Sequence, residues 1–175
     1  MQIRDATGRD AAGIAEIYND AVAHTTATWH TTLVDVADRA SWIAARQARG
    51  FPVLVAVADD DVLGYATYGD WRAWEGYRFT VEHSVYVRSD RRGRGIGRLL
   101  MEDLVARARA AGKHTMVAGI AAENTGSIAM HERLGFREVG RLPEVGAKFG
   151  RWLDLVFLQR VLDDRAEPGT RELVT

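Results

Sequence analysis

The sequence predicts an α+β fold, a mixed central sheet of about seven strands flanked by about four helices, all within residues 1–162. Two apolar stripes at helical spacing point to it: Ile14, Ile17, Tyr18, Ala21 and Val22 in one segment, and Ile96, Leu99, Leu100, Leu104 and Val105 in another. Short apolar runs bounded by turn residues, at 52–58, 62–68 and 81–87, supply strands. Along the chain the elements succeed one another as β-α-α-β-β-β-α-β-α-β-β, which is neither a strict βαβ alternation nor a bundle.

Residues 2–6 read as the first strand. Thr7 and Asp10 form a Thr-x-x-acid pair that opens the first helix. His24-Thr25-Thr26-Ala27-Thr28-Trp29-His30 is Thr-rich, has no helical period and reads as a loop. A second helix covers 36–49 and stops at Gly50. Strands 52–58 and 62–68 are joined through Asp59-Asp60-Asp61 as a hairpin. A long loop at 69–80 carries Trp71, Arg72, Trp74, Tyr77 and Arg78. Strand 81–87 leads through a basic glycine loop at 88–95 into a helix that ends at Gly112. Strand 114–120, a helix over 125–134 closed by Gly135, and strands at 136–141 and 152–161 complete the fold. Residues 163–175 are polar and read as a frayed tail. The two long loops, 23–32 and 69–80, are where function is expected.

At 175 residues the chain has the length of one domain with a full core. Its 23 Lys+Arg and 24 Asp+Glu leave a net charge of −1 and a pI near 6.5. Such a chain lacks the global basic field of a nucleic-acid or membrane-surface binder. With no Cys, disulfides, thiolate zinc sites, iron–sulfur clusters and a Cys nucleophile are excluded. Met1-Gln2-Ile3-Arg4-Asp5 is charged where a signal peptide is apolar, and the longest aliphatic run, 53–58, is too short to span a bilayer. The expectation is a soluble, cytoplasmic protein with no nucleic-acid or membrane partner. His24, His30 and His114 show no metal-ligand spacing, and no metal is expected.

The clearest chemical feature is Arg91-Arg92-Gly93-Arg94-Gly95-Ile96-Gly97-Arg98, set between a strand and a helix. Its alternate glycines let backbone N–H groups approach a ligand, and the helix start leaves its first N–H groups unpaired under a favourable dipole. Together they make an anion site suited to a pyrophosphate, with arginines around it. Gly97 is followed by Arg98 and Leu99, so this is not a Walker loop, and the spacing and preceding elements do not fit a dinucleotide fingerprint. Taken alone, the segment also reads as a solvated arginine turn.

With Asn124 and Leu134-Gly135-Phe136 downstream, Arg92-x-x-Gly95-x-Gly97 after a strand resembles the GNAT superfamily of acetyl-CoA-dependent N-acetyltransferases. Five further segments look like its phosphinothricin / methionine sulfoximine N-acetyltransferase branch: Ile17-Tyr18-Asn19-Asp20-Ala21-Val22, Thr25-Thr26-Ala27-Thr28-Trp29, Val81-Glu82-His83-Ser84-Val85-Tyr86-Val87, His131-Glu132-Arg133-Leu134-Gly135-Phe136 and Lys148-Phe149-Gly150-Arg151-Trp152-Leu153-Asp154. The likeness runs over about 3–161. It implies a GNAT fold, acetyl-CoA as co-substrate, and acetylation of the α-amino group of small amino acids, including glutamate-analogue toxins and methionine sulfone or sulfoximine. It also implies a homodimer with the acceptor pocket near the subunit interface. By position, the resemblance implies that the backbone of Val85, Tyr86 and Val87 pairs with the pantetheine arm. Arg92, Gly93, Arg94, Gly95, Ile96, Gly97 and Arg98 are implied to hold the pyrophosphate, and Asn124 to hydrogen-bond the CoA arm. Arg72, Ala73, Trp74, Glu82, His83 and Ser84 match positions that contact the acceptor.

Acetyl transfer to an amine requires the ammonium to lose a proton and the leaving thiolate to be protonated or tolerated. Without a Cys to carry the acyl group, direct attack in a ternary complex is favoured. Glu82 is the candidate base, since it sits in an otherwise apolar strand where a carboxylate tends to a raised pKa. Alternation puts Glu82, Ser84 and Tyr86 on one face and Val81, His83, Val85 and Val87 on the other. Glu82 also reads as a structural partner of a buried Arg, or as an anchor for the substrate ammonium. His131 is the candidate acid for the thiolate, and also reads as a helix-packing residue. His83 reads as structural or as a substrate contact. Arg72 and Arg78 can hold a carboxylate through paired N–H donors, with Trp71, Trp74 and Tyr77 walling the side chain. An acetyltransferase for another amine (a protein N-terminus, a polyamine or an aminoglycoside) and a non-catalytic acyl-CoA-binding module are the competing readings. A polyamine or aminoglycoside pocket calls for acids, and the long loop offers only Asp70 and Glu75.

Overall fold

The chain folds in the predicted order, described for residues 1–168 by a computed structural model. Its elements are β1 (Gln2–Asp5), α1 (Ala11–His24), α2 (Val36–Ala48), β2 (Val53–Ala58), β3 (Asp61–Asp70), β4 (Thr80–Val87), α3 (Ile96–Ala110), β5 (Thr115–Ala121), α4 (Thr125–Arg133), β6 (Arg137–Lys148) and β7 (Arg151–Val161). The seven strands form one sheet in the order β1-β2-β3-β4-β5-β7-β6, antiparallel except for the β4–β5 pair. Helices cover both faces. α1 and α2 bury Ile14, Ile17 and Ile43 against Val53, Val55 and Tyr65. On the other face α3 buries Leu100, Met101 and Leu104 in a cluster with Met116, Phe136 and Leu158. Among the described residues, no helix is long and apolar enough to cross a membrane.

Local chemistry sets the ends of these elements. Asp10 accepts from the Thr7 backbone N–H at 2.7 Å and takes two hydrogen bonds from Arg4, both 2.8 Å. A 3-10 turn at Gly8–Asp10 separates this cap from α1. The β2–β3 hairpin turns on Asp59 and Asp60, both at positive φ (51° and 67°), the backbone that a two-residue turn between twisted strands demands.

Two expectations change. The strand expected at 136–141 runs on to Lys148 and turns at Phe149 and Gly150 into β7. It is an outer strand, largely exposed on both faces, with register shifts at Glu138/Gly140 and Leu142/Gly146. That removes the apolar alternation from which a strand is read. The tail expected to fray from 163 stays docked at least to Arg165. Asp163 pairs with His114 Nδ1 at 2.7 Å, and Arg165 donates to the Gly112 carbonyl at 2.6 Å. The expected tail beyond 168 lies outside the described residues.

The feature that positions the site is a fork in the sheet. β4 and β5 pair only over Thr80↔Thr115, Val81↔Met116 and Glu82↔Val117. Beyond Glu82 they part, while β4 stays on β3 and β5 stays on β7. The parting leaves open space between the two strands, lined by Glu82 to Tyr86 on β4 and Gly119 to Ala121 on β5.

Candidate active site

Glu82 stands at the fork, half-buried. Its Oε1 lies 3.2 Å from where a Cβ on Gly119 of β5 would sit, so the carboxylate lies over that bare backbone. Burial pushes its pKa up, and the charge of Arg72 pulls part of the way back. A carboxylate so placed keeps a proton affinity nearer to neutrality than a surface Glu. Gly119 is a contributor that the sequence reading missed. The signal was a lone glycine inside the apolar strand Thr115–Ala121, which marks a close approach.

Glu82 lines a cavity of about 430 Å³ together with His83, Ser84, Gly119, Asn124 and His131. Another wall is the loop after α1, through Thr26, Ala27, Thr28, Trp29 and His30. Strand alternation is as expected: Tyr86 packs on the α1/α2 side, while His83 turns to the other face, against Phe136.

His83 and His131 form a buried pair, with Nε2 atoms 3.2 Å apart and rings stacked at 14°. His131 Nδ1 lies 2.7 Å from the Ser127 carbonyl oxygen. A carbonyl only accepts, so Nδ1 carries the proton and Nε2 of a neutral His131 is bare. His83 must then donate from its own Nε2, leaving its Nδ1 as a buried nitrogen without a partner. Burial lowers both pKa values, that of His83 well below the ordinary range, with the neighbouring His131 adding to it. Both nitrogens of His131 are therefore engaged in the neutral pair.

A second cavity, of about 860 Å³, shares Thr26, Ala27, Val85, Tyr86, Asn124 and Ser127 with the first. Its floor is the exposed end of β4, through Val85, Tyr86 and Val87, and its far wall is the glycine loop and start of α3. Gly93 and Gly95 adopt φ of 74° and 80°, a left-handed backbone at which side chains are strained, and open space lies where their Cβ atoms would be. A Cβ on Gly97 would stand 3.2 Å from Met130 Sδ, so α3 and α4 meet closely there. Arg91, Arg92, Arg98 and Arg133 line this cavity against a single acid, Glu123. Arg94 is in the loop but exposed and off the cavity wall. Asn124 caps α4 by accepting from the Ser127 N–H at 3.2 Å, which leaves its amide NH₂ to donate into the shared space.

The expected acceptor residues divide. Glu82, His83 and Ser84 line the smaller cavity; Arg72, Ala73, Trp74 and Arg78 line neither. Arg72 lies 3.8 Å above the Trp71 ring and donates to the Trp71 carbonyl. Trp71 itself stands edge-on to Phe157 of β7. Arg78 covers Phe79, and Trp74 is 77% exposed. Of this loop, only the charge of Arg72 reaches Glu82.

An apolar-floored groove with a basic glycine rim, joined at a sheet fork to a smaller chamber with a raised-pKa carboxylate, fits the transfer of an acyl group from a long polyanionic carrier. The comparisons with known proteins agree. Residues 3–157 match the model of the acetyltransferase (GNAT) domain. The chain is 58% identical over 162 residues to the L-methionine sulfoximine/L-methionine sulfone acetyltransferase of Pseudomonas paraeruginosa, covering 92% of this chain and 94% of that protein. It is 37% identical to the phosphinothricin N-acetyltransferase of Streptomyces coelicolor, covering 93% and 96%. A Salmonella typhimurium structure described as an acetyltransferase with its cofactor acetyl-CoA superposes with a TM-score of 0.94 at 50% identity, covering 97% and 98% of the two chains. The chain belongs to the GNAT acetyltransferase family, with N-acetyltransferases of methionine sulfoximine, methionine sulfone and phosphinothricin among its relatives.

Proposed function

We propose that this protein transfers the acetyl group of acetyl-CoA to the α-amino group of a small amino acid, with methionine sulfoximine and sulfone as preferred acceptors and phosphinothricin as a weaker one. The observation that carries this reading is Glu82, half-buried at the fork and lining the acceptor-sized chamber that opens into the basic groove. Bound in the groove, acetyl-CoA supplies the activated acetyl thioester. The free N–H groups at the start of α3, with Arg92 and Arg98, hold the pyrophosphate; the β4 backbone at Val85–Val87 and the Asn124 amide hold the arm. Glu82 takes the proton from the acceptor ammonium, directly or through one water. Ser84 is exposed beside it as a second polar contact. His131 is the candidate acid for the leaving thiolate. It has to gain a proton at Nε2 to serve, which burial disfavours, and a thiolate of pKa about 8.5 already leaves tolerably, so this contribution is minor.

A chamber of about 430 Å³ suits an amino acid better than a folded protein terminus. The homodimer implied by the family is supported by apolar surface on β6 and β7: Val139, Leu142, Val145 and Trp152 are each more than 40% exposed. A cytoplasmic setting, where acetyl-CoA is available, completes the reading. The deciding experiment is a panel of amino acids, an alanine-ended peptide and spermidine with acetyl-CoA, followed by thiol release. Turnover confined to the peptide or the polyamine overturns the reading. Arg72→Ala adds a second test. Loss of this charge raises the Glu82 pKa, so the acid limb of kcat/KM moves to higher pH, and the acceptor KM rises more than the acetyl-CoA KM. An unmoved limb removes Arg72 from the site.

A further inference from the structure

Lys148 ends β6 and is 5% exposed. Its ammonium donates to the carbonyls of Thr25 at 2.6 Å, Thr28 at 2.7 Å and Ala21 at 3.4 Å. Three N–H groups thus meet three acceptors, at the negative end of the α1 dipole. No carboxylate bears on this charge among the described residues; burial alone shifts its pKa, downward. A buried cation with no counter-ion is costly unless every N–H is paired, so the three carbonyls are what make the site tenable.

The Ala21 carbonyl is in the last turns of α1, and those of Thr25 and Thr28 belong to the segment after it, which has little backbone pairing of its own. The Ala27 N–H goes to the Thr25 hydroxyl and the His30 N–H reaches the Thr28 hydroxyl at 3.4 Å. The β6–β7 hairpin holds the segment in two further places. The Trp29 ring lies against Gly146 so closely that it fills the space of a Cβ there. Arg151 makes paired 2.8 Å hydrogen bonds to Glu123, which also accepts from the Thr26 hydroxyl. The last two ties are a packing contact and an exposed ion pair. Lys148 is the only one of the three that holds the backbone itself, and residues 26–30 line the smaller chamber.

We infer that Lys148 is a positioning residue for the acceptor: through the Thr25 and Thr28 carbonyls it sets the loop wall of the acceptor chamber, without touching either substrate. The inference rests on the proposed reading of that chamber as the acceptor site. It accounts for a lysine in the Lys148–Asp154 segment that the catalytic chemistry does not use.

The test is Lys148→Met, which keeps the length of the side chain and removes its donors. Hydrogen–deuterium exchange in residues 25–30 is expected to speed up about tenfold or more, with the sheet core unchanged, because the Thr25 and Thr28 carbonyls lose their donor. The acceptor KM is expected to rise about tenfold while kcat and the acetyl-CoA KM stay within about threefold. A purely structural lysine instead lowers the melting temperature and leaves the acceptor KM of the folded enzyme where it was; that result, or an unchanged loop exchange rate, overturns the inference. The chain has no Cys, so Lys148→Cys can be alkylated with 2-bromoethylamine in denaturant and refolded, restoring an ammonium at nearly the same reach. The acceptor KM should return toward the wild-type value, and a folded, alkylated protein that keeps the raised KM also counts against it. Should Lys148→Met not fold, Lys148→Leu, which also removes every donor, carries the same readouts and the same overturning result. Loop exchange needs no acceptor, so a wild-type enzyme inactive on every amino acid sinks the proposed function and leaves this loop measurement standing.

Discussion

Glu82→Gln lowers kcat at pH 7 by about 10²–10⁴-fold, the range that a general base contributes, with acetyl-CoA affinity nearly unchanged. The amide keeps the shape of the side chain over Gly119 and loses only the capacity to take a proton. The pH dependence has a definite sign. Burial raises the Glu82 pKa, so the wild-type acid limb lies above the ordinary carboxylate range, and activity falls as pH drops through it because the base becomes protonated. The defect of the variant shrinks toward pH 9, where more of the acceptor amine is already deprotonated. His131→Ala costs less at pH 7 and gains less at pH 9, since the thiolate leaves without help. The opposite ranking makes His131 the base and Glu82 an anchor for the ammonium; near-wild-type rates in both variants leave the proton to ordered water alone.

Gly97→Glu raises the Kd for acetyl-CoA by at least about 100-fold, equivalent to about 2.7 kcal/mol. The new carboxylate stands in the first turn of α3, where the helix dipole and unpaired N–H groups await an anion, and repels the pyrophosphate from the groove. The fold survives. A Cβ there presses on the Met130 sulfur at 3.2 Å, the end of a flexible side chain, and an acidic residue suits a helix N-terminus. Gly97→Ala carries the steric part alone and separates it from the charge. Calorimetry that finds unchanged CoA affinity in Gly97→Glu moves the pyrophosphate off this loop.

The sequence by itself determined the order of elements, the mixed sheet, the glycine cradle and the identity of Glu82 as a lone acid in an apolar strand. Each is written in local spacing: a 3.6-residue stripe, a two-residue alternation, glycines beside a helix start. The apolar core strands were legible because burial on both faces imposes a composition. β6 was legible only in its first half, because a bulged outer strand exposed to solvent carries no such pattern. Tertiary structure alone decided what the spacing could not encode. The parting of β4 from β5 beyond Glu82 creates the chamber, and Gly119 contributes to it from 37 residues further along the chain by having no side chain. The His83–His131 pair joins a strand and a helix 48 residues apart, and its tautomers follow from one carbonyl of α4. The loop at 69–80 held arginines and aromatics that sequence reading placed around the acceptor, yet Arg72, Ala73, Trp74 and Arg78 stand off the chamber, whose wall is formed by residues 26–30. Lys148 reaches that wall across 120 residues to the Thr28 carbonyl. Such pairings depend on which segments the sheet order brings side by side, and backbone carbonyls, present at every residue, leave no trace in a sequence until a fold aims a donor at them.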